Sequence, residues 1–377
     1  MIETKPPQAL SLFDLIGRDW TLSAPVRRVG FNANGTAVAC ELEGGALALL
    51  PIADAEHPEK RIRIEFDTGR TTIRPRESAL PLPITPDVTA AAGGPGICPL
   101  GEQGFIVAEA SGGLSRVTAR GQVLELFKAG TTPVNAICAV PGRDAICIAK
   151  GGLLSLLRAE DMAPLAESDL GETITRLALS GDGAFIAACF GEQVAVLAAD
   201  DLDQQSKVTC KGTVECLSWS PDREWIVAGC RETSLVVVNV PRGLADVIEG
   251  FPGPVGSAGF SKKANALIAS GAFRVVGWRC PDLPFGQHEG TPVQTGKPGL
   301  TLVDHVEPSP TRDSCAVGYA NGLVTLCSIG QPDELMLIEG TGAAVTAMDW
   351  SPDGQHLALG FADGRAAIVT FPKVMFK

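Results

Sequence analysis

Four histidines (His57, His288, His305 and His356) and eleven cysteines are the side chains whose types suit metal ligation or acid–base work. Their spacing speaks against both. No two histidines form a His-x₃-His pair and no Cys-x₂-Cys partners one, although structural zinc sites draw their ligands from such short-range pairs. Cys210 and Cys216 are separated by a turn and the start of an apolar run, so only a special geometry would bring them together. Cys189 and Cys230 follow Ala-Ala and Ala-Gly in equivalent runs, the setting of a small buried hydrophobe. Asp200, Asp201 and Asp203 cluster without the mid-loop glycine of a calcium loop and read as a solvated turn. Asp304 and His305 could form an acid–base pair, but neighbours on a strand point to opposite faces.

Phosphate chemistry fails on similar grounds. Thr295-Gly296-Lys297 resembles the tail of a phosphate-binding loop, but the interval from Gly290 is one residue too long and Pro298 replaces the hydroxyl that would hold Mg²⁺. Gly340-Thr341-Gly342 follows an apolar run, yet Val345 takes the third glycine position of a dinucleotide turn and no helix follows. No Gly-x-Ser-x-Gly elbow occurs. The expectation is no catalytic residue, no metal and no cofactor.

The bulk composition narrows the classes further. The 377 residues carry 31 Lys plus Arg against 43 Asp plus Glu, a formal net charge of −12. That balance argues against nucleic acid, whose phosphates need a surplus of cations. No apolar run reaches the length of a membrane helix. Glu3 and Asp14 around a short apolar stretch do not read as a signal peptide. Cysteines scattered without paired spacing suit a reducing compartment, and a soluble cytoplasmic protein is expected.

Glycine (43) and proline (27) punctuate the whole chain, and short β-branched or aliphatic runs alternate with turn residues. This is the pattern of an all-β chain. Four stretches repeat one another: VRRVGFNANGTAVACELEGGALAL from 26, ITRLALSGDGAFIAACFGEQVAVL from 174, VECLSWSPDREWIVAGCRETSLVVV from 214 and VTAMDWSPDGQHLALGFADGRAAI from 345. Each has an apolar strand, a Ser-Pro-Asp-Gly-like turn, a strand of small residues, a second turn and a third strand. Weaker copies begin near Gly96, Val134, Val255 and Val303. The starts at 134, 174, 214, 255, 303 and 345 are 40, 40, 41, 48 and 42 residues apart, which matches the length of a four-stranded propeller blade.

The sequence thus resembles a WD40-repeat β-propeller over about residues 20–371. The resemblance rests on Trp219-Ser220-Pro221-Asp222, Trp350-Ser351-Pro352-Asp353-Gly354 and the Asp363-Gly364 turn. The family's Gly-His dipeptide is absent from every blade, and Trp278-Arg279 is the nearest relic of its closing Trp-Asp. The hydrogen-bonded tetrad of the family therefore cannot assemble in most blades, and stability must come from apolar packing between sheets. The expected fold is a single ring of four-stranded antiparallel blades, eight in number with seven as the alternative. Residues 20–377 form the propeller and residues 1–19 a tail or docking segment. Trp20-Thr21-Leu22 would supply the outer strand that the last repeat lacks and so close the ring, removing an exposed edge. Two Pro-rich stretches, about 68–96 and 281–299, interrupt the rhythm as irregular insertions, the second where an outer strand belongs.

In such a ring the turn before each innermost strand lies at the mouth of the central channel, where the resembled family engages peptides and proteins. The second and third residues of the opening strands are mostly polar, while the first and fourth are apolar. The candidates at the rim are Arg27, Arg28, Asn135, Thr175, Arg176, Glu215, Ser257, Asp304, His305 and Thr346. The reading is a non-catalytic scaffold for a protein or peptide partner, in an oligomeric state the sequence leaves open. The alternatives are a propeller hydrolase or lactonase with a site at the channel mouth and a small-ligand sensor.

Overall fold

A computed structural model describes residues 10–64, 67, 71–102, 104–128, 130 and 132–376. Their secondary structure is almost entirely antiparallel strand, and the one α-helix among them is the five-residue Leu12–Ile16. Among the described residues no helix is long and apolar enough to cross a membrane. Apart from one two-stranded hairpin, the described strands form eight sheets in chain order, here blades 1 to 8, whose innermost strands are Val26–Phe31, Ile97–Leu100, Ala136–Val140, Ile174–Leu179, Val214–Trp219, Ala258–Ser261, Val303–Pro308 and Val345–Trp350. Each innermost strand touches the next, and the eighth touches the first. The ring is closed and eight-bladed.

The turn between the first and second strands shows how the repeat is encoded. In blades 4, 5 and 8 the hydroxyls of Ser180, Ser220 and Ser351 bond to Asp182, Asp222 and Asp353. The same oxygens accept the backbone N–H of Phe185, Trp225 and His356, each at 2.9 Å. A short polar side chain that satisfies the turn's own backbone removes the cost of a tight reversal. Asn32 serves blade 1 similarly, accepting from Thr36 and Ala37.

Packing between blades explains the unbroken apolar runs of the second and third strands. The buried apolar residues fall into eight clusters, and each draws on two neighbouring blades. Along the second strand of blade 4, Ile186, Ala188 and Phe190 enter the seam with blade 3, while Ala187 and Cys189 enter the seam with blade 5. A strand covered on both faces needs no polar alternation. Trp219 and Trp350 add hydrogen bonds across two seams, donating to Ala178 and Glu307 carbonyls of the preceding blade at 3.0 Å.

Glycines set the spacing at three equivalent seams. Gly229, Gly318 and Gly360 lie in second strands, beneath Val255, Val345 and Val26 respectively. A Cβ on Gly360 would stand 2.5 Å from Val26 Cγ1, and one on Gly229 would stand 2.6 Å from Cys216 Sγ. Overfilling a packed site costs about 1–3 kcal/mol. Gly229→Ala is expected at the upper end, because the Val255 carbonyl also stands in the way. A lowered thermal midpoint checks this, and an unchanged one refutes it.

Ring closure follows the expectation, with a longer strand. Gly17–Thr21 pairs antiparallel with Arg365–Thr370 as the fourth strand of blade 8, and Leu22 N–H donates to Gly364 O at 2.8 Å. The helix Leu12–Ile16 just before it is capped by Ser11 and Asp14 and docks beside blade 7, burying Ile16. Residues 1–9 of the expected tail lie outside the described residues.

Both Pro-rich stretches prove to complete blades. Residues 68–70 of the first lie outside the described residues. Thr71–Ile73 pairs with Ile62–Ile64, and the chain then returns so that Ile84 and Leu49 exchange backbone hydrogen bonds (2.7 and 2.9 Å) along the third strand of blade 1. In blade 6, Arg279 N–H donates to Thr291 O and Val293 N–H to Gly277 O, both at 2.8 Å. Residues 291–295 therefore supply an irregular outer strand rather than replacing it. Proline cannot give the regular ladder but is tolerated at an edge.

Candidate interaction site at the channel mouth

A local irregularity in the innermost strands aims the polar residues. The register slips between Val26 and Arg28, Ile174 and Arg176, Val214 and Cys216, Val303 and His305, and Val345 and Ala347. Arg27, Thr175, Glu215, Asp304 and Thr346 are thus the extra residues of five equivalent β-bulges. A bulge suspends strict alternation and redirects a side chain. The first valine or isoleucine still locks into a seam, and at each bulge at least one of the two residues after it reaches the channel mouth.

They surround an open cavity of about 860 Å³. Six of the ten expected rim residues line it: Arg27, Arg28, Arg176, Glu215, His305 and Thr346. Thr175 lines a side cavity of about 180 Å³ shared with Arg28, Arg176 and Glu215. The other three are turned to structural work or away. Asn135 Oδ1 accepts from Gly151 N–H at 2.7 Å. Ser257 Oγ accepts from Val306 N–H at 2.7 Å, stitching blade 6 to blade 7. Asp304 lies off the cavity, and burial raises its carboxyl above the usual range. The Asp304–His305 pair does not converge on the channel.

Two ion clusters organise the mouth. Glu41 is fully buried and lies 3.0 Å from Arg28 and 3.6 Å from Arg27. Its carboxylate occupies the second-strand position that is glycine in blades 5, 7 and 8, directly opposite Arg28 in register. Glu215 accepts from Arg231 Nε at 2.6 Å and has Arg176 at 3.8 Å, while Arg176 Nε also donates to the Glu215 carbonyl at 3.3 Å. Thr346 Oγ1 donates to Val26 O at 2.5 Å across the closing seam. Burial drives His305 down to about 4, so it is neutral at physiological pH.

Glu41, Arg231, Pro254 and Met348 were not among the expected residues. Only Glu41 carried a signal, as a charge inside the otherwise uncharged run Ala37–Leu42. Farther along the innermost strands the ionisable groups are acids. Glu307 and Asp349 are the fifth residues of their strands, and burial raises them to about 8 and about 7. Glu307 lines a further cavity of about 450 Å³ with Cys216, Ser218 and Lys262. Arginines thus stand at the strand starts, and acids that burial keeps largely protonated stand toward the ends of two strands.

Comparison with known proteins agrees with this architecture. Residues 204–239 and 333–368 match the family model described as "WD domain, G-beta repeat". No curated protein matches the chain. Among solved structures, the crystal structure of Ika8, a computationally designed protein, is similar with a TM-score of 0.63 at 13% identity, covering 93% of this chain and 98% of that one. At that identity the likeness concerns the fold alone.

Proposed function

The chain is a divergent WD40-repeat β-propeller, and from that premise we propose that it is a non-catalytic scaffold that binds a protein or peptide partner at the channel mouth. The observation that carries the reading is the set of five β-bulges, which turn polar residues of several blades toward one open cavity on a closed ring. A rigid frame that presents side chains from separate strands is suited to recognition, since little order remains to be imposed on binding. Paired arginines and glutamates offer directional hydrogen bonds to a partner. His305, held neutral, and Asp304, turned off the cavity, do not form an acid–base couple around it.

The test is photo-cross-linking in cells of the native source, with a benzophenone amino acid in place of exposed Pro254 at the mouth or exposed Leu244 on an outer strand. Discrete adducts are expected from position 254 and not from 244. No adducts at 254, or equal adducts at both positions, would remove the channel mouth as the binding surface.

A further inference from the structure

The mouth of the channel has a charge that the rest of the protein lacks. Against a net charge of −12 for the chain, four arginines line or flank one cavity while only two carboxylates answer them. Arg27 and Arg28 share Glu41, and Arg176 and Arg231 share Glu215. In these ion pairs each cluster sets two guanidiniums against one carboxylate. Glu232 is held ionised by the backbone and hydroxyl of Thr213, both at 2.7 Å, and it also attracts Arg231, so the surplus is clearest at Arg27 and Arg28. Low-dielectric walls around a cleft focus such a field on whatever enters.

An apolar feature stands on the same face. Gly299 N–H donates to Phe273 O at 2.8 Å and Gly253 N–H to Gly271 O at 2.9 Å, tying three loops together beside Pro254. These loops hold Leu300 fully exposed and Phe273 46% exposed. An unpartnered leucine and phenylalanine next to a basic cavity mark a place for an apolar side chain of a partner.

We infer that the partner segment is an acidic peptide that places one carboxylate at each arginine cluster and an apolar residue against Leu300 and Phe273. This rests on the scaffold reading and specifies its chemistry. The surplus favours carboxylates over a phosphate, because it is small and each cluster already contains a glutamate that would repel a dianion. Arg28 and Arg176 both line the small side cavity, so guanidiniums of two blades are presented near one another to the carboxylates of a single segment. Planar guanidinium–carboxylate pairing gives direction as well as charge.

The test uses fluorescence anisotropy with three short labelled peptides: one of Asp, Glu and Leu, its Asn/Gln counterpart, and one whose only anion is phosphoserine. The acidic peptide is expected to bind, with affinity falling as salt is raised. The Arg28→Gln/Arg176→Gln double variant should weaken it about tenfold or more. Glu215→Gln should tighten it severalfold, an outcome that misfolding cannot produce. Equal binding of the amide peptide, tighter binding of the phosphoserine peptide, or unchanged or weaker binding by Glu215→Gln would overturn the assignment. If cross-links at position 254 persist undiminished in the double arginine variant, the charge assignment fails while the scaffold reading stands.

Discussion

A chain that begins at Leu22 is expected to lose the closed ring and, at micromolar concentration, to aggregate instead of melting cooperatively. The deleted strand Gly17–Thr21 pairs with Arg365–Thr370 along its whole length. The deleted helix and strand serve two seams at once, since Ile16 belongs to the cluster between blades 7 and 8 and Trp20 to the cluster between blades 8 and 1. Trp20 Nε1 donates to Pro81 O at 2.8 Å, and the buried Arg18 guanidinium donates to Pro51 and Ile52 carbonyls at 3.2 Å. Burial of two large apolar side chains contributes about 2–3 kcal/mol each, and hydrogen bonds roughly 1 kcal/mol each. The loss is on the order of 8 kcal/mol, comparable with the whole stability of a typical domain. The uncovered strand Arg365–Thr370 would present an open edge to other chains. Adding a synthetic peptide of residues 10–22 should restore a soluble monomer. A truncated chain that melts cooperatively within a few degrees of the full one would show that the terminal strand is dispensable.

That closure was legible because blade 8 lacks a strand in the repeat pattern and Trp20-Thr21-Leu22 precedes the first opening strand. The blade number was less so. The interval between the copies at Val26 and Gly96 is long because blade 1 borrows its outer strand from residues beyond a hairpin, and prolines there erase the alternation that marks a strand. The same holds for residues 291–295 in blade 6, where Pro292 bridges Trp278. Backbone pairing at an edge needs only one side of the strand, and side-chain pattern carries little record of it.

The rim was readable for a related reason. Apolar first and fourth residues with a polar pair between them violate strict alternation, and the bulge is the structural form of that violation. What the pattern could not supply was the pairing of individual side chains. Glu41 reaches Arg28 within its own sheet, but Arg231 meets Glu215 from a turn, and Asn135 and Ser257 look identical to rim residues until their backbone partners are seen. Turn residues have no periodicity from which to infer direction.

Stability should fall as pH rises through neutrality, and Glu307→Gln should remove much of that fall. Burial is the main reason that Glu307 is raised from 4.5 to about 8, with the nearby Asp349 carboxylate adding to it. Asp349 is itself raised to about 7 by burial, although the Phe31 N–H at 2.7 Å favours its charged form. For an acid whose folded pKa lies above its unfolded value, the folded chain holds the proton more tightly. Its contribution is complete below about 4.5 and is lost as pH climbs through about 8. Each pH unit inside that window costs up to about 1.4 kcal/mol. Channel water and Lys262, which lines the same cavity as Glu307, lower the sum to roughly 3 kcal/mol. Glutamine keeps the shape and carries no charge, so the variant should match the parent near pH 4.5 and exceed its thermal midpoint at pH 8 by about 4 °C or more. Asp349→Asn should act in the same direction over a window ending near pH 7, though with less gain because the Phe31 N–H loses its carboxylate acceptor. A Glu307→Gln difference of equal size at both pH values would mean that Glu307 titrates in the folded ring as it does in the unfolded chain, and that its surroundings are far wetter than their packing indicates.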